Sequence, residues 1–454
     1  VPGTAADALR NAGRWSFDEA RDFDAEDWWW RLRFHAGQGP ATLGLDGIAT
    51  LADVWLDGQR VLDSDNMFVA HTIAVDLSGE HELLIHCRSL AQALAQKRPR
   101  PAWRVPMLET QQLRWVRTTL LGRTPGWSPP CAAVGPWRPV WIEHAALSLG
   151  DIAVDSRIDP ANGMGLCEID ADLGESVASA RLVLTHGTQR VATDLQSTDG
   201  RWHATAQVEQ PALWWPHTHG EPACYGVALE VQVQGGSQPY PIRIDLGATG
   251  FRTLEIARED GDFAVLVNGV DIFCRGACWT PLDVVSLATA PEACHAALRK
   301  VREAGMNMRR VSGTMVYEDD AFLDALDAQG ILLWQDLMFA NMDYPDDPAF
   351  DASVVLEVRQ QLARLRGRPC LALVCGNSEG QQQAAMSSTA RERWAMPLFD
   401  THLAGLVDTI GAPYLPSSAQ GGAFPHAANA GTCSYYGVGA YLRPLEDARH
   451  AGVR

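Results

Sequence analysis

From Trp28 to about Gly250, apolar and polar residues alternate in short segments that end at Gly, Asp or Asn clusters. A period of two predicts strands with one buried face. In "IATLADVWLDGQRV" two such runs flank Asp57-Gly58, a dipeptide suited to a two-residue hairpin turn. "HELLIHCRSL" and "RPVWIEHAALSL" add strands, and their spacing predicts sheets packed as a jelly roll or sandwich. "ARLVLTHGTQRVATD", "RWHATAQVEQ" and "YGVALEVQVQGG" continue the alternation with no helix-period stretch between them. They predict a second β-sandwich of roughly 100 residues.

After "GFRTLEI" the period changes. Thr289-Ala290-Pro291-Glu292 reads as a capping box with proline in the first turn, and apolar Leu298 and Val301 follow before Gly305. The strand "MNMRRV", the helix "YEDDAFLDALDAQ" closed by Gly330, and the strand "ILLWQDLMF" come next. The helix "SVVLEVRQQLARLRG" leads to the strand "CLALVCGNSE", and "LFDTHLAGLVDTIG" leads to "APYLPSS". Alternation at this interval predicts parallel βαβ units. With "VDIFCRGACW" as the first strand there are five by residue 418. A closed eight-unit barrel takes about 250 residues, so an incomplete one is expected.

A chain of 454 residues is too long for one core, and about three domains are expected. Net charge is 37 − 55 = −18, which repels a phosphate backbone and argues against nucleic acid as a partner. Apolar runs fall short of the ~20 residues that cross a bilayer, so no membrane partner is expected. The ten cysteines lie mostly inside apolar runs with no CxxC pair, which signals buried thiols rather than zinc or redox chemistry. His217 and His219 in "WPHTHG" read as a polar turn, since no third ligand lies near in sequence. No metal or cofactor is expected. Tryptophan stands out at 16, against 8 Tyr and 12 Phe; indole faces suit the C–H faces of sugars and also fill cores. The first residue is Val1 and no signal peptide is visible. The natural start is therefore expected to be missing, which leaves cytoplasm and periplasm both open. Oligomeric state is not readable.

"LALVCGNSEG", residues 371 to 380, runs through five apolar residues and three small ones to Glu379. Two readings stand. A carboxylate at the C-terminal mouth of a buried parallel strand is where barrel enzymes hold catalytic groups. A negative charge also suits the start of the next helix.

"VPGTAADALRNAG", "DNMF", "PWRPVWIE", "LWWP…GEPACY", "GFRTLEI", "VNGVDIFCRGACWTPLD", "NMRRV", "ILLWQDLMFA", "YPDDPAF" and "CGNSE" occur in one order. Across essentially the whole chain this order resembles the family-two glycoside hydrolases, and within them the β-mannosidase branch. The resemblance implies a sugar-binding-like jelly roll over residues 1–145 and an immunoglobulin-like β-sandwich over 146–250. Residues 251–454 would then be the N-terminal part of a catalytic (β/α)8 TIM barrel.

It also implies a retaining, exo-acting β-glycosidase that hydrolyses terminal β-linked mannose from oligosaccharides or glycoconjugates. Such enzymes use two carboxylates about 5–5.5 Å apart. The family's Cys-Gly-Asn-Asn-Glu motif places the acid/base on Glu379 and a sugar contact on Ser378, where the family has Asn. The nucleophile, a Glu on the seventh barrel strand, is expected beyond Arg454. Glu446 and Asp447 read instead as a solvated helix face.

Three further motifs depart from the branch. Its Trp-Asp-Trp is Pro125-Gly126-Trp127, its Arg-Val-Trp-Gly is Arg310-Val311-Ser312-Gly313, and its His-Tyr-Trp is Ser434-Tyr435-Tyr436. Trp127, Trp279 and Trp334 are candidates for a sugar platform, or for core packing. Arg310 and Asp336 could pair with each other or bind hydroxyls, Asn377 could shape the strand end, and Tyr436 completes the substrate-binding candidates. Trp214 and Trp215 are assigned to packing. The altered motifs keep two alternatives open: a β-galactosidase or β-glucuronidase of the same family, and a carbohydrate-binding pseudoenzyme.

Overall fold

The computed structural model describes residues 3–144, 149–234, 241–258, 261, 263–421, 424–425 and 427–449. The expected domain boundary at 145/146, the end of "YGVALEVQVQGG" and the chain end at Arg454 lie outside them.

The first region contains one five-stranded antiparallel sheet, in the order β3-β2-β4-β1-β5. The strands are β1 (Trp28–Leu45), β2 (Ala52–Leu56), β3 (Gln59–Ser64), β4 (His71–Cys87) and β5 (Val140–Glu143). Two long strands, β1 and β4, run together, with a register shift between Ala36 and Gly39 that lets them bend. Asp57 and Gly58 both have positive φ (51° and 80°), the geometry of the expected tight turn between β2 and β3.

Strands β6 (Ile152–Ile158), β7 (Gly165–Ala171), β8 (Val177–His186), β9 (Gln189–Asp194), β10 (Gln196–Thr198), β11 (Arg201–Val208), β12 (Tyr225–Val233) and β13 (Ile242–Thr249) form two four-stranded sheets. Both contribute to one core that includes Ile169, Leu182, Leu184, Tyr225, Leu229 and Phe251.

A small sheet follows, of β14 (Leu254–Ala257), β15 (Ala264–Val267) and β16 (Val270–Ile272). It corrects the reading of "VDIFCRGACW" as one strand. Asn268-Gly269, both at positive φ, turns β15 back onto Val270–Ile272 as a hairpin, which leaves only Gly276–Trp279 for the parallel sheet. That sheet is β17 (Gly276–Trp279), β18 (Met308–Val311), β19 (Leu332–Asp336), β20 (Leu371–Cys375) and β21 (Tyr414–Leu415), all parallel and in sequence order. The helices Pro291–Glu303, Asp320–Gln329, Pro348–Leu365 and Leu403–Asp408 connect it. The first of these is capped by Ala290 with no side-chain hydrogen bond, so the capping box on Thr289 does not form. Pro291 takes the first helical position, where its missing N–H is not needed, and this sets the cap one residue after Thr289.

The first region grips the parallel sheet's helix layer through buried charge. Arg117 donates to both carboxylate oxygens of Glu357 at 2.8 and 2.6 Å and to the carbonyl of Met338 at 2.9 Å. Asn66 Nδ2 and Tyr317 Oη donate to the same carboxylate. The sandwich region docks through Trp214, fully buried as expected of a packing residue, whose Nε1 donates to the carbonyl of Asp327 at 2.8 Å. His217 hydrogen-bonds the carbonyl of Met306, and among the described residues no group of three metal-ligating side chains is found. No helix among them is long and apolar enough to cross a membrane.

Glu318, at the entry to the helix Asp320–Gln329, accepts a hydrogen bond from Trp279 Nε1 at 2.8 Å. Burial pushes its carboxyl up from 4.5 to about 7. The folded state therefore holds this proton more tightly than the unfolded chain. The resulting stability is complete below pH 4.5 and is lost as pH rises through 7. Glu318→Gln, which keeps the acceptor for Trp279, is expected to remove a slope of roughly 2–3 kcal/mol between pH 4.5 and 8. Tm measured against pH for both proteins checks this: parallel curves would place the carboxyl in solvent.

Candidate active site

Side chains alternate across a parallel sheet, and register decides which ones share a face. Cys278 pairs with Arg310, Arg310 with Trp334, Trp334 with Leu373, and Asp336 with Cys375. These point to one face, where Leu373, Cys375 and Leu415 form a small cluster with Phe263 and Trp334. Val311 and Val374 point the other way, into the large core beneath the helices. Arg310, Trp334 and Asp336 thus come together on the face away from the helix layer.

Asp336 is fully buried and saturated with donors. Arg310 donates to it at 2.8 Å, Trp334 Nε1 at 2.8 Å, Ser378 Oγ at 2.7 Å and the Gly313 amide at 3.3 Å. Arg310 donates further to Ser378 Oγ at 3.0 Å and Ser418 Oγ at 2.5 Å, and its guanidinium lies 5.3 Å from the Trp334 ring centre. Burial opposes the charge on Arg310, but Asp336 outweighs it and holds the guanidinium protonated above its usual range. Of the two readings of Arg310 and Asp336, the pair is formed. Ser378 is 5% exposed and spends its hydroxyl on this pair.

Glu379 follows Ser378 just past the end of β20. It takes a left-handed backbone (φ 62°, ψ 17°) at the cap of the helix Gly380–Met386 and makes no side-chain cap hydrogen bond. A left-handed conformation costs a non-glycine residue about 1–2 kcal/mol, so its neighbours must impose it. The Glu379 amide donates to Ser418 O at 2.7 Å, and the Ser378 amide to Phe339 O at 2.8 Å. Asn377 acts as the scaffold. Its Oδ1 accepts from the Gly380 amide (2.8 Å) and Ser417 Oγ (2.9 Å), and its Nδ2 donates to Pro416 O (3.0 Å). With its backbone so held, Glu379 leaves a half-buried carboxylate at the strand mouth, where Asn341 Nδ2 reaches it at 3.3 Å. Tyr436 Oη accepts from Gln382 Nε2 at 2.6 Å, one turn into the same helix.

Two tryptophan candidates part from this group. Trp279 is paired with Val311, so its ring lies on the helix side, 4.9 Å from Phe322 with its N–H on Glu318. The period-two face rule moves it from platform to packing. Trp127 is 75% exposed on the turn after Thr124, and no hydrogen bond or ring contact among the described residues ties it to Glu379. Asn341 and Ser418 belong to the network and were not singled out from sequence, whereas Ser312, noted there as a departure from the branch motif, lies 3.3 Å from Ser378 Oγ. Asn341 falls between "ILLWQDLMFA" and "YPDDPAF"; its one signal was the tolerance of asparagine for a left-handed backbone, which it adopts (φ 59°).

Residues 1–138 match the glycosyl hydrolase 2 galactose-binding domain-like family. The β-mannosidase B of Emericella nidulans is 30% identical over 380 residues, covering 80% of this chain and 45% of that protein. Its counterpart in Aspergillus niger is 31% identical over 356 residues, covering 75% and 42%. The chain thus spans about half the length of the curated relatives it matches. The crystal structure of a β-D-mannosidase from Dictyoglomus thermophilum superimposes with a TM-score of 0.88 at 26% identity, over 100% of this chain and 59% of that one. An exo-chitosanase from Amycolatopsis orientalis shares the fold at a TM-score of 0.66 and 17% identity, over 92% and 48%. Taken with the ordered motifs, these similarities place the chain in family two of the glycoside hydrolases, in its β-mannosidase branch.

Proposed function

We propose that the protein is a retaining, exo-acting β-glycosidase of the β-mannosidase type, releasing terminal β-linked mannose from oligosaccharides or glycoconjugates. The observation that carries this reading is the placement of Glu379: a half-buried carboxylate at the C-terminal mouth of a parallel strand, beside a buried Arg310–Asp336 pair. The sheet β17–β21 is read as the N-terminal part of a (β/α)8 barrel over residues 251–454, preceded by a jelly roll (1–145) and an immunoglobulin-like sandwich (146–250).

Glu379 is assigned as acid/base. Cleavage expels an alkoxide, a poor leaving group, and a carboxylic acid at its oxygen supplies the proton as the bond breaks. Asp336 is bound by Arg310, Trp334 and Ser378 and is not free to attack. The attack on the anomeric carbon is therefore assigned to another carboxylate. Trp334, with Arg310 across its face, supplies the indole wall; Tyr436 stands at the rim, and Asn377 and Ser378 hold the backbone that aims the acid.

The test is a panel of aryl β-mannosides, β-glucosides, β-galactosides and β-glucuronides offered to the full-length protein. The mannoside is expected to lead in kcat/KM by about tenfold or more, the range that one or two sugar-hydroxyl contacts provide. A leading galactoside or glucuronide would move the assignment within the family. Glycan binding without turnover of any of them would make it a pseudoenzyme.

A further inference from the structure

We propose that Asn341 is a positioning residue for Glu379 and that the first β-region sets it through Trp103, so that the sugar-binding-like part of the chain aims the acid of the catalytic part. The proposal rests on Glu379 being the acid/base. Asn341 is 4% exposed, and three hydrogen bonds fix it. Its amide donates to Ser378 O at 2.7 Å, its carbonyl accepts from Trp103 Nε1 at 2.7 Å, and its Nδ2 donates to Glu379 Oε2 at 3.3 Å.

The first two bonds hold the backbone from opposite sides, one from the strand end that carries Glu379 and one from a residue 238 positions earlier. With the backbone held at φ 59°, the side-chain amide faces the carboxylate. The same segments are clamped again nearby: the Ala102 amide donates to Asp343 Oδ2 at 2.6 Å, and Arg114 bonds both the carbonyl and the carboxylate of Asp343. Trp103 itself is 3% exposed and packs into the large core with Phe339 and Tyr344. The strap 340–344 is thus pinned by the first region and carries one donor directed at the acid.

An acid that must meet a glycosidic oxygen needs its carboxyl held in place, and a misplacement of about 1 Å can cost about 10²-fold in rate. A donor on one oxygen leaves the other to carry the proton. Asn341 is therefore expected to act on the protonation step and on little else.

Asn341→Gly separates that role from folding, because glycine keeps the left-handed backbone and both backbone bonds while deleting the amide. In the full-length protein its kcat/KM should fall about 10–100-fold on β-mannosides with poor leaving groups. With a dinitrophenyl leaving group, which departs unprotonated, kcat/KM should stay within about twofold. Trp103→Phe should show the same dependence on leaving group with a smaller loss. A loss equal for all leaving groups, or none, would overturn the proposal. Crystal structures of wild-type and Asn341→Gly protein decide independently of turnover. A Glu379 carboxyl in the same place in both would also overturn it. A wild-type protein that cleaves no glycoside, with the carboxyl displaced in the variant, would sink the catalytic reading of Glu379 and leave the positioning intact.

Discussion

Glu379→Gln in the full-length protein is expected to lower kcat/KM by about 10²–10⁴-fold on β-mannosides whose leaving group needs a proton, and hardly at all on dinitrophenyl β-mannoside. Glutamine has nearly the same shape and keeps an oxygen for Asn341 Nδ2, so the change removes the exchangeable proton and little else. An aryl series with graded leaving-group pKa gives the measurement. Wild-type rates should depend weakly on leaving group, because the enzyme protonates each one, and variant rates should depend on it steeply. A small external anion such as azide should restore part of the variant's turnover by attacking the glycosyl-enzyme that the missing base no longer helps water to open. A uniform loss across the series would reassign Glu379 to substrate binding. An unchanged rate on poor leaving groups would remove it from the reaction.

Glu357→Ala is expected to cost about 3–5 kcal/mol of stability, the typical penalty for leaving a buried charge without its partner. Arg117 is 3% exposed and Glu357 is fully buried, and the carboxylate also receives Asn66 and Tyr317. Without it the guanidinium would remain enclosed between the Phe68 and Phe339 rings, 5.4 and 3.6 Å from their centres. Desolvation works against that charge, and Glu357 is what holds it above its usual range. The double replacement Arg117→Met, Glu357→Leu removes both charges and should recover most of the loss, since well-packed apolar side chains often match a buried pair. Calorimetry on the three proteins checks this, with Tm expected to fall by roughly 3–5 °C in the single variant. A loss below about 1 kcal/mol would mean that water reaches the pair. The effect should be largest where the first region meets the helix Pro348–Leu365, because the network joins those two pieces of chain.

Much of the site could be read from sequence because its signals are local. An apolar run that ends in small residues and Glu379 marks a strand mouth, and the βα alternation places Arg310, Trp334 and Asp336 on neighbouring parallel strands. Trp279 stays open between platform and packing in the sequence because a strand of four residues gives no internal cue to which face is which; its pairing with Val311 puts it on the packing side. Asn66 was quoted within "DNMF" without a role, and its role lies 291 residues away on Glu357. No local pattern records a contact at that separation.

Local residue patterns set the kinds of element and their order: alternation of period two up to Gly250, helix and strand in turn after it, a tight turn at Asp57-Gly58, and a carboxylate just past the end of β20. These follow from short-range sterics and from the match between side-chain period and buried face, which act within a few residues. The tertiary structure alone decided what each polar group faces. Ser378 was read as a sugar contact and turns to Asp336, Arg310 divides its donors among Asp336, Ser378 and Ser418, and Asn341 reaches Glu379 with its backbone held from Trp103. Such partners are set by strand register and by the docking of distant segments, and a buried donor takes whichever acceptor that docking brings within about 3 Å.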